Sequence, residues 1–226
     1  IQKAIETNPN SAETWTFHAE MLSAAGDAQE AQKATGIRPA FLLAIFAQES
    51  GLTTDSTFGK NVGSCYLTDT TTGAGASVKS GTAFPNVMKP GRDVEPFISI
   101  TKSLGLDYTK TLVSCPIASA GGYGGAMGPA QFIPSTWMLF VNRIKNALGI
   151  SAPNPWNPEH AFVAASFLLT DNGAVAGSFT KEKDAACRYY SGRVCSATVT
   201  GNQYGVQVMA KADMIQRTMI DPLQGL

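Results

Sequence analysis

The sequence predicts a mainly α-helical (α+β) fold into which a small β-hairpin or a long ordered loop is inserted. Apolar residues recur at helical spacing in several segments that begin at capping residues or proline and end near glycine, which is typical of amphipathic helices. Residues 51–91 lack this spacing and are rich in Thr, Ser and Gly. No nucleotide-binding glycine motif occurs, so we do not expect a doubly wound dinucleotide-binding fold.

Residues 1–36 are predicted to form a helical hairpin, an appendage to one domain at residues 37–226. Ser11 can cap a first helix, and Gly26-Asp27 is predicted to turn the chain into a second. The pattern is similar to a single tetratricopeptide unit. Because one such unit cannot stack, we expect the hairpin to pack on the domain or to tether it.

The next helix is predicted at residues 38–50, where Pro39 suits the first turn. Phe41, Ile45 and Glu49 follow at intervals of four residues, so Glu49 continues the apolar face. Burial and the negative end of the helix dipole both disfavour a charged carboxylate there, and we expect a raised pKa. A carboxylic acid that stays protonated near neutral pH can serve a glycosidic leaving group. The alternative is that Glu49 ends the helix in water.

Five further helices are predicted from the spacing of apolar residues and from caps such as Asn157 before Pro158. Residues 51–91 contain Val, Thr and Tyr among glycines, which suits either a short hairpin or a long ordered loop. The predicted helical ranges are 94–105, 135–148, 158–173, 180–190 and 203–220.

The stretch from Gly121 to Trp137, GGYGGAMGPAQFIPSTW, is rich in glycine and contains two prolines. It cannot form a regular helix or strand before Ser135. Glycines let a ligand approach the backbone closely, so this stretch can form the floor of a groove. The alternative is a plain Gly-rich turn.

Together, Glu49-Ser50 at a helix end and Gly125 to Ser135, with the pattern G-A-M-G-x-x-Q-F-x-P-S, resemble the motifs of the lytic murein transglycosylases. The resemblance is closest to the B-type, membrane-associated branch and covers roughly residues 37–220. A weaker match is CRYYSG at residues 187–192, followed by NQYGVQVM at residues 202–209. Near there the family has a Tyr-Asn or Tyr-Tyr pair that lines the sugar groove.

The resemblance implies a lysozyme-like transglycosylase domain that cleaves the β-1,4 bond between N-acetylmuramic acid and N-acetylglucosamine in peptidoglycan. Glu49 would be the general acid and then the general base. The muramic N-acetyl group would assist, and the C6 hydroxyl would attack to give a 1,6-anhydro product. No cofactor and no metal are expected. The implied substrate-binding residues are Ser50, Tyr123, Gly125, Met127, Gln131, Phe132, Tyr189 and Tyr190.

Each of these side chains has a structural alternative. Gln131 can hydrogen-bond an N-acetyl or hydroxyl group of the sugar, or it can satisfy its own loop. The aromatic residues can stack on sugar faces or pack in the core, and Met127 can support the loop from beneath. The chain departs from the B-type pattern at Gly122, where the family has Ser, and at Tyr190, where it has Asn.

No second carboxylate is tied to a motif, so a two-carboxylate hydrolase is not expected. The remaining candidates, which we expect to be solvated loop or helix-start charges, are Asp55, Asp69, Asp93 and Glu95. Two rival functions stay open: a hydrolytic peptidoglycan muramidase, and a non-catalytic module that binds the cell wall or belongs to a secretion apparatus.

The formal net charge is +0 and the sequence has no basic run, which argues against a nucleic-acid partner. No apolar stretch reaches the roughly 18 residues of a membrane-spanning helix. The chain begins at Ile1 and not at Met, so we expect that a targeting segment is missing. The expected partners are peptidoglycan strands, with a membrane tether or envelope complex through that missing N-terminus, and the protein is expected to be a monomer.

The four cysteines predict disulfides and an extracytoplasmic location. A metal site would favour C-x-x-C pairs with a histidine nearby. The sequence has no such pair, and neither of its 2 histidines is near a cysteine. We expect the pairs Cys65–Cys115 and Cys187–Cys195. Free buried thiols are the alternative.

Overall fold

The computed structural model describes residues 12–50, 63–116 and 122–223. It is mainly helical with a small three-stranded antiparallel sheet, which confirms the predicted α+β class. The helices are α1 (Ala12–Thr35), α2 (Pro39–Ser50), α3 (Val94–Ser103), α4 (Pro134–Leu148), α5 (Pro158–Asp171), α6 (Phe179–Ser191), α7 (Val199–Ile215) and α8 (Asp221–Leu223). The strands are β1 (Cys65–Leu67), β2 (Gly75–Ser77) and β3 (Ala83–Phe84). None of the helices in these ranges is long and apolar enough to cross a membrane.

The chain divides into two compact units. Residues 1–58 and 162–226 form the first unit, and residues 59–161 form the second. The predicted division into an appendage, residues 1–36, and a domain, residues 37–226, stays a prediction.

Helix α1 runs unbroken through Gly26, where the sequence analysis placed a turn, so the predicted hairpin is wrong within residues 12–35. Ala24, Ala28 and Ala31 are buried and lie at helical spacing on both sides of the glycine. A glycine inside a helix costs only about 1 kcal/mol relative to alanine. Continuous burial of this alanine stripe, in a helix that packs on α2, offsets that cost.

Helix α2 is the centre of the first unit and packs against α1 and α7. Its side chains are buried on nearly all sides, and Phe46 stacks on Phe162 of α5 with ring centroids 3.8 Å apart. Just before α2, the guanidinium of Arg38 donates two hydrogen bonds of 2.7 Å to the buried carboxylate of Glu182 in α6. This bidentate pair fixes the start of α2 against α6.

The three strands of the second unit form a meander in the order β1-β2-β3, where the sequence predicted a hairpin or loop. Val113 exchanges two backbone hydrogen bonds with Cys65 of β1, at 3.0 and 2.8 Å. A disulfide joins Cys65 to Cys115 beside this bridge. The chain that enters the Gly-rich stretch is therefore anchored to the sheet.

Asp93, just before α3, is only 1% exposed, although we expected a solvated charge. Its Oδ1 accepts hydrogen bonds from the backbone N and the Oγ of Ser135 in the first turn of α4, at 3.2 and 2.6 Å. Arg92 donates to its other oxygen. These donors, together with the positive end of the α4 dipole, replace water around the carboxylate. Glu95 is exposed to solvent, as predicted, and Asp69 is half-exposed. Asp55 lies outside the described residues.

Candidate active site

Glu49 lies in the last turn of α2, and its side chain is half-buried. Its Oε1 accepts a 2.5 Å hydrogen bond from the hydroxyl of Tyr204 in α7. Burial raises the pKa of Glu49 above its ordinary value, and the hydrogen bond from Tyr204 opposes this with a smaller effect. The carboxyl group therefore keeps its proton to a higher pH than a glutamate in water.

The hydroxyl of Tyr204 serves as the hydrogen-bond donor in this pair. Burial and then the nearby negative charge of Glu49 hold its pKa far above the usual range of a tyrosine. Its hydroxyl occupies Oε1 of Glu49, while Oε2 has no hydrogen-bond partner among the described residues. The hydrogen bond from Tyr204 fixes the orientation of the carboxyl group through Oε1.

Two further tyrosines, predicted from the CRYYSG segment, lie in the last turn of α6 beside this pair. Burial, and then the charge of Glu49, raise the pKa of Tyr189 well above its ordinary value. The ring of Tyr190 stacks on Tyr204 with centroids 4.8 Å apart and planes inclined by 19°, and Tyr190 remains 51% exposed. An acid, a buried phenol and an exposed aromatic face thus lie side by side.

The approach of α6 to α7 brings the tyrosines together. A disulfide joins Cys187 of α6 to Cys195, and an added Cβ at Gly205 of α7 would lie 2.5 Å from the sulfur of Cys187. Only glycine allows this contact, and Gly205 directly follows Tyr204. The backbone N of Gly201 donates to Thr198 Oγ1 at 3.0 Å, which caps the start of α7.

Next to Glu49, further hydrogen bonds join α2 to α7. The amide of Gln48 donates to Gln207 Oε1 at 3.0 Å and accepts from the ammonium of Lys211 at 2.5 Å. Tyr204, Gln207 and Lys211 follow at intervals of three and four residues, so they share one face of α7. This face of α7 lies against the last turn of α2 and holds Gln48 and Glu49 in place.

Tyr204 lies in the NQYGVQVM segment, but no role is predicted for it from the sequence. One signal could have found it: Tyr204, Val208, Ala212 and Ile215 lie at helical spacing, and all four are buried. A tyrosine on the inward face of a helix needs a buried partner for its hydroxyl, and a carboxylate is the strongest one available.

The Gly-rich stretch belongs to the second unit and forms a tight turn. The backbone N of Met127 donates to the carbonyl of Phe132 at 2.9 Å. Gly128 has a φ of +60°, and an added Cβ would lie 2.0 Å from the carbonyl oxygen of Pro155. Gln131 is left-handed with a φ of 53°, and its side-chain N donates to Gly128 O at 2.7 Å. That bond matches the alternative in which Gln131 satisfies its own loop.

The implied substrate residues of this stretch divide by exposure. Met127 is fully buried, and Phe132 packs edge-on against Trp137 with ring centroids 5.7 Å apart. These positions match the alternative in which Met127 and Phe132 support the loop from beneath, and their sugar contacts stay a prediction. Tyr123 is 47% exposed and remains available, whereas Gly125 is buried.

The structure thus brings Glu49, Tyr189, Tyr190 and Tyr204 together in the first unit. Ser50 closes α2, but its side chain lies outside the described residues. Within the described ranges, no cluster of three or more His, Cys, Asp or Glu side chains could hold a metal ion.

No family model, curated protein or solved structure matches this chain.

Proposed function

We propose that this protein is a peptidoglycan lytic transglycosylase with a lysozyme-like fold and that Glu49 is its general acid and base. One observation carries the proposal: a single carboxyl group at a helix end, whose pKa is raised by burial, is held by the hydroxyl of Tyr204. A protonated carboxylic acid near neutral pH is the group that a glycosidic oxygen requires.

The proposed reaction needs only this one carboxyl group. Glu49 gives its proton to the glycosidic oxygen as the bond to C1 of N-acetylmuramic acid breaks, and the N-acetyl group of that sugar stabilises the developing cation. The C6 hydroxyl of the same sugar then bonds to C1, and its proton returns to Glu49. The products are a 1,6-anhydromuramic end and a free hydroxyl on N-acetylglucosamine, with no water consumed.

Two further features support this assignment. The exposed ring of Tyr190, backed by Tyr204, offers a flat apolar face of the kind on which sugar rings stack. The disulfides Cys65–Cys115 and Cys187–Cys195 hint at an extracytoplasmic location, which is where peptidoglycan lies.

The experiment is a comparison of lytic activity on purified peptidoglycan for the wild type, Glu49→Gln and Glu95→Gln. Glu95 is an exposed glutamate of the second unit and serves as the matched control. We expect Glu49→Gln to lose at least about 10²–10⁴ in rate, because general acid catalysis contributes that much. Activity of a folded Glu49→Gln protein within a few-fold of wild type would reject the assignment. Wall binding without cleavage by the wild type would favour the non-catalytic module.

A further inference from the structure

The second unit contains a small pocket that shares no residue with the candidate active site. It has a volume of about 170 Å³ and is lined by α3, α4 and the segment Ser151 to Pro153. A water molecule takes about 30 Å³ of liquid, so the pocket has room for about five of them. A ligand of similar size has roughly five to eight non-hydrogen atoms.

Two residues that line this pocket, Trp137 and Lys145, carry donor groups that can serve a ligand. Trp137 is fully buried, and its Nε1–H has no hydrogen-bond partner among the described residues. Buried donors in folded proteins nearly always have an acceptor, and the described side chains and backbone provide none for this one. Lys145, one of the other lining residues, is half-buried and forms no ion pair within the described ranges.

The other residues that line the pocket indicate which kind of ligand could accept these hydrogen bonds. Among the described residues no acidic side chain lines the pocket, so Lys145 gives it a positive charge. The hydroxyls of Ser99, Ser103 and Ser151 are also present, and Ser103 Oγ already donates to the carbonyl of Ile100 at 2.8 Å. Apolar side chains such as Val141 form the other walls.

We propose that this pocket binds a small carboxylate with a short apolar chain. The carboxylate accepts hydrogen bonds from the indole N–H of Trp137 and from the ammonium of Lys145, and the chain packs on the apolar walls. Bonds of this charge-assisted kind are stronger than those between neutral groups. The carboxylate can belong to a free short-chain acid or to the end of a short peptide, and the inference is independent of the function proposed for Glu49.

The test is a titration of the full chain, labelled with ¹⁵N, while the indole N–H signals of its 3 tryptophans are observed by NMR. Trp137→Phe assigns the signal of Trp137. Propionate represents a free acid, N-acetylglycine represents a peptide end, and propionamide is the uncharged control of the same shape. We expect the Trp137 signal to move and saturate with propionate, N-acetylglycine or both, with a dissociation constant of about millimolar, and not with propionamide.

Two lysine variants show whether the carboxylate binds in the pocket or elsewhere on the protein surface. Lys145→Gln should weaken carboxylate binding about tenfold or more, because it removes a charged donor. Lys102→Gln makes the same change at an exposed lysine of α3 that does not line the pocket, and it should leave binding unchanged. The inference is overturned if the Trp137 signal does not move, if propionamide binds as well as propionate, or if the two lysine variants bind alike.

Discussion

The hydroxyl of Tyr204 lies 2.5 Å from Oε1 of Glu49, although 155 positions of sequence separate the two residues. The bond joins the last turn of α2 to α7 in a region where burial makes a charged carboxylate unfavourable. Because burial raises the pKa of Glu49 and the tyrosine opposes that rise, the pair sets the pH at which the acid loses its proton.

Tyr204→Phe removes the hydroxyl but keeps the ring that stacks on Tyr190. The pKa of Glu49 should rise further, because only the opposing hydrogen bond is lost. In the proposed reaction the protonated acid is the active form, so the alkaline limb of kcat/KM should move to higher pH. Tyr108→Phe, in the second unit, is the control and should leave the profile in place. An unchanged limb in Tyr204→Phe, or a limb at lower pH, would contradict the role given to Tyr204.

The pH dependence of stability tests the buried carboxyl group without any substrate. Above the ordinary pKa of 4.5, the unfolded chain loses the proton of Glu49 while the folded protein still holds it. The folded state then binds more protons, so the contribution of Glu49 to the free energy of unfolding falls as the pH rises from 4.5 through the raised pKa. Glu49→Gln should abolish this fall, so its stability relative to wild type should increase with pH.

Urea unfolding at a series of pH values measures that difference. Glu30→Gln is the control, since Glu30 is an exposed glutamate of α1 that pairs with the exposed Lys33. Its difference from wild type should change little over the same range. A Glu49→Gln difference that is flat, or that shrinks as the pH rises, would mean that Glu49 is not held in a desolvated setting.

Two helical glycines should respond to alanine with opposite signs. At Gly205 an added Cβ would lie 2.5 Å from the sulfur of Cys187, and we expect Gly205→Ala to cost about 1–3 kcal/mol through overpacking. At Gly26 nothing lies within 4 Å, so Gly26→Ala should gain about 0.5–1 kcal/mol of helix stability. Chemical denaturation of both variants checks the pair. A stabilising Gly205→Ala would disprove the close approach of α6 and α7.

The disulfides should be present in protein purified without reductant, as Cys65–Cys115 and Cys187–Cys195. The sequence separations of 50 and 8 residues correspond to about 4 and about 2–3 kcal/mol of stability on the chain-entropy model. Peptide mapping without reduction identifies the pairs, and unfolding of each double Cys→Ala variant gives the cost. Four free thiols, or a crosslink between Cys65 and Cys187, would refute the pairing.

Prolines and capping residues in the sequence predicted where several of the helices begin. Pro39, the stretch before Ser135 and the Asn157-Pro158 cap set the starts of α2, α4 and α5 to within one residue. These positions depend on proline geometry and capping, which neighbouring residues decide.

Features that depend on distant contacts could not be predicted in the same way. The turn expected at Gly26 is absent because packing against α2 outweighs the local preference of one glycine. The burial of Asp93 depends on Ser135, which lies 42 positions away. Likewise, the raised pKa of Glu49 was expected from its own helix, whereas its partner Tyr204 is brought to it only by the packing of α7.

The masses of the products released from purified peptidoglycan test the central claim most directly. The account predicts muropeptides that end in 1,6-anhydromuramic acid from the wild type and none from Glu49→Gln, since one carboxyl group serves both proton transfers. Ends that are heavier by one water, about 18 Da, would show hydrolysis and a muramidase in place of a transglycosylase. Anhydro ends from a folded Glu49→Gln protein at the wild-type rate would contradict the assignment of Glu49 itself.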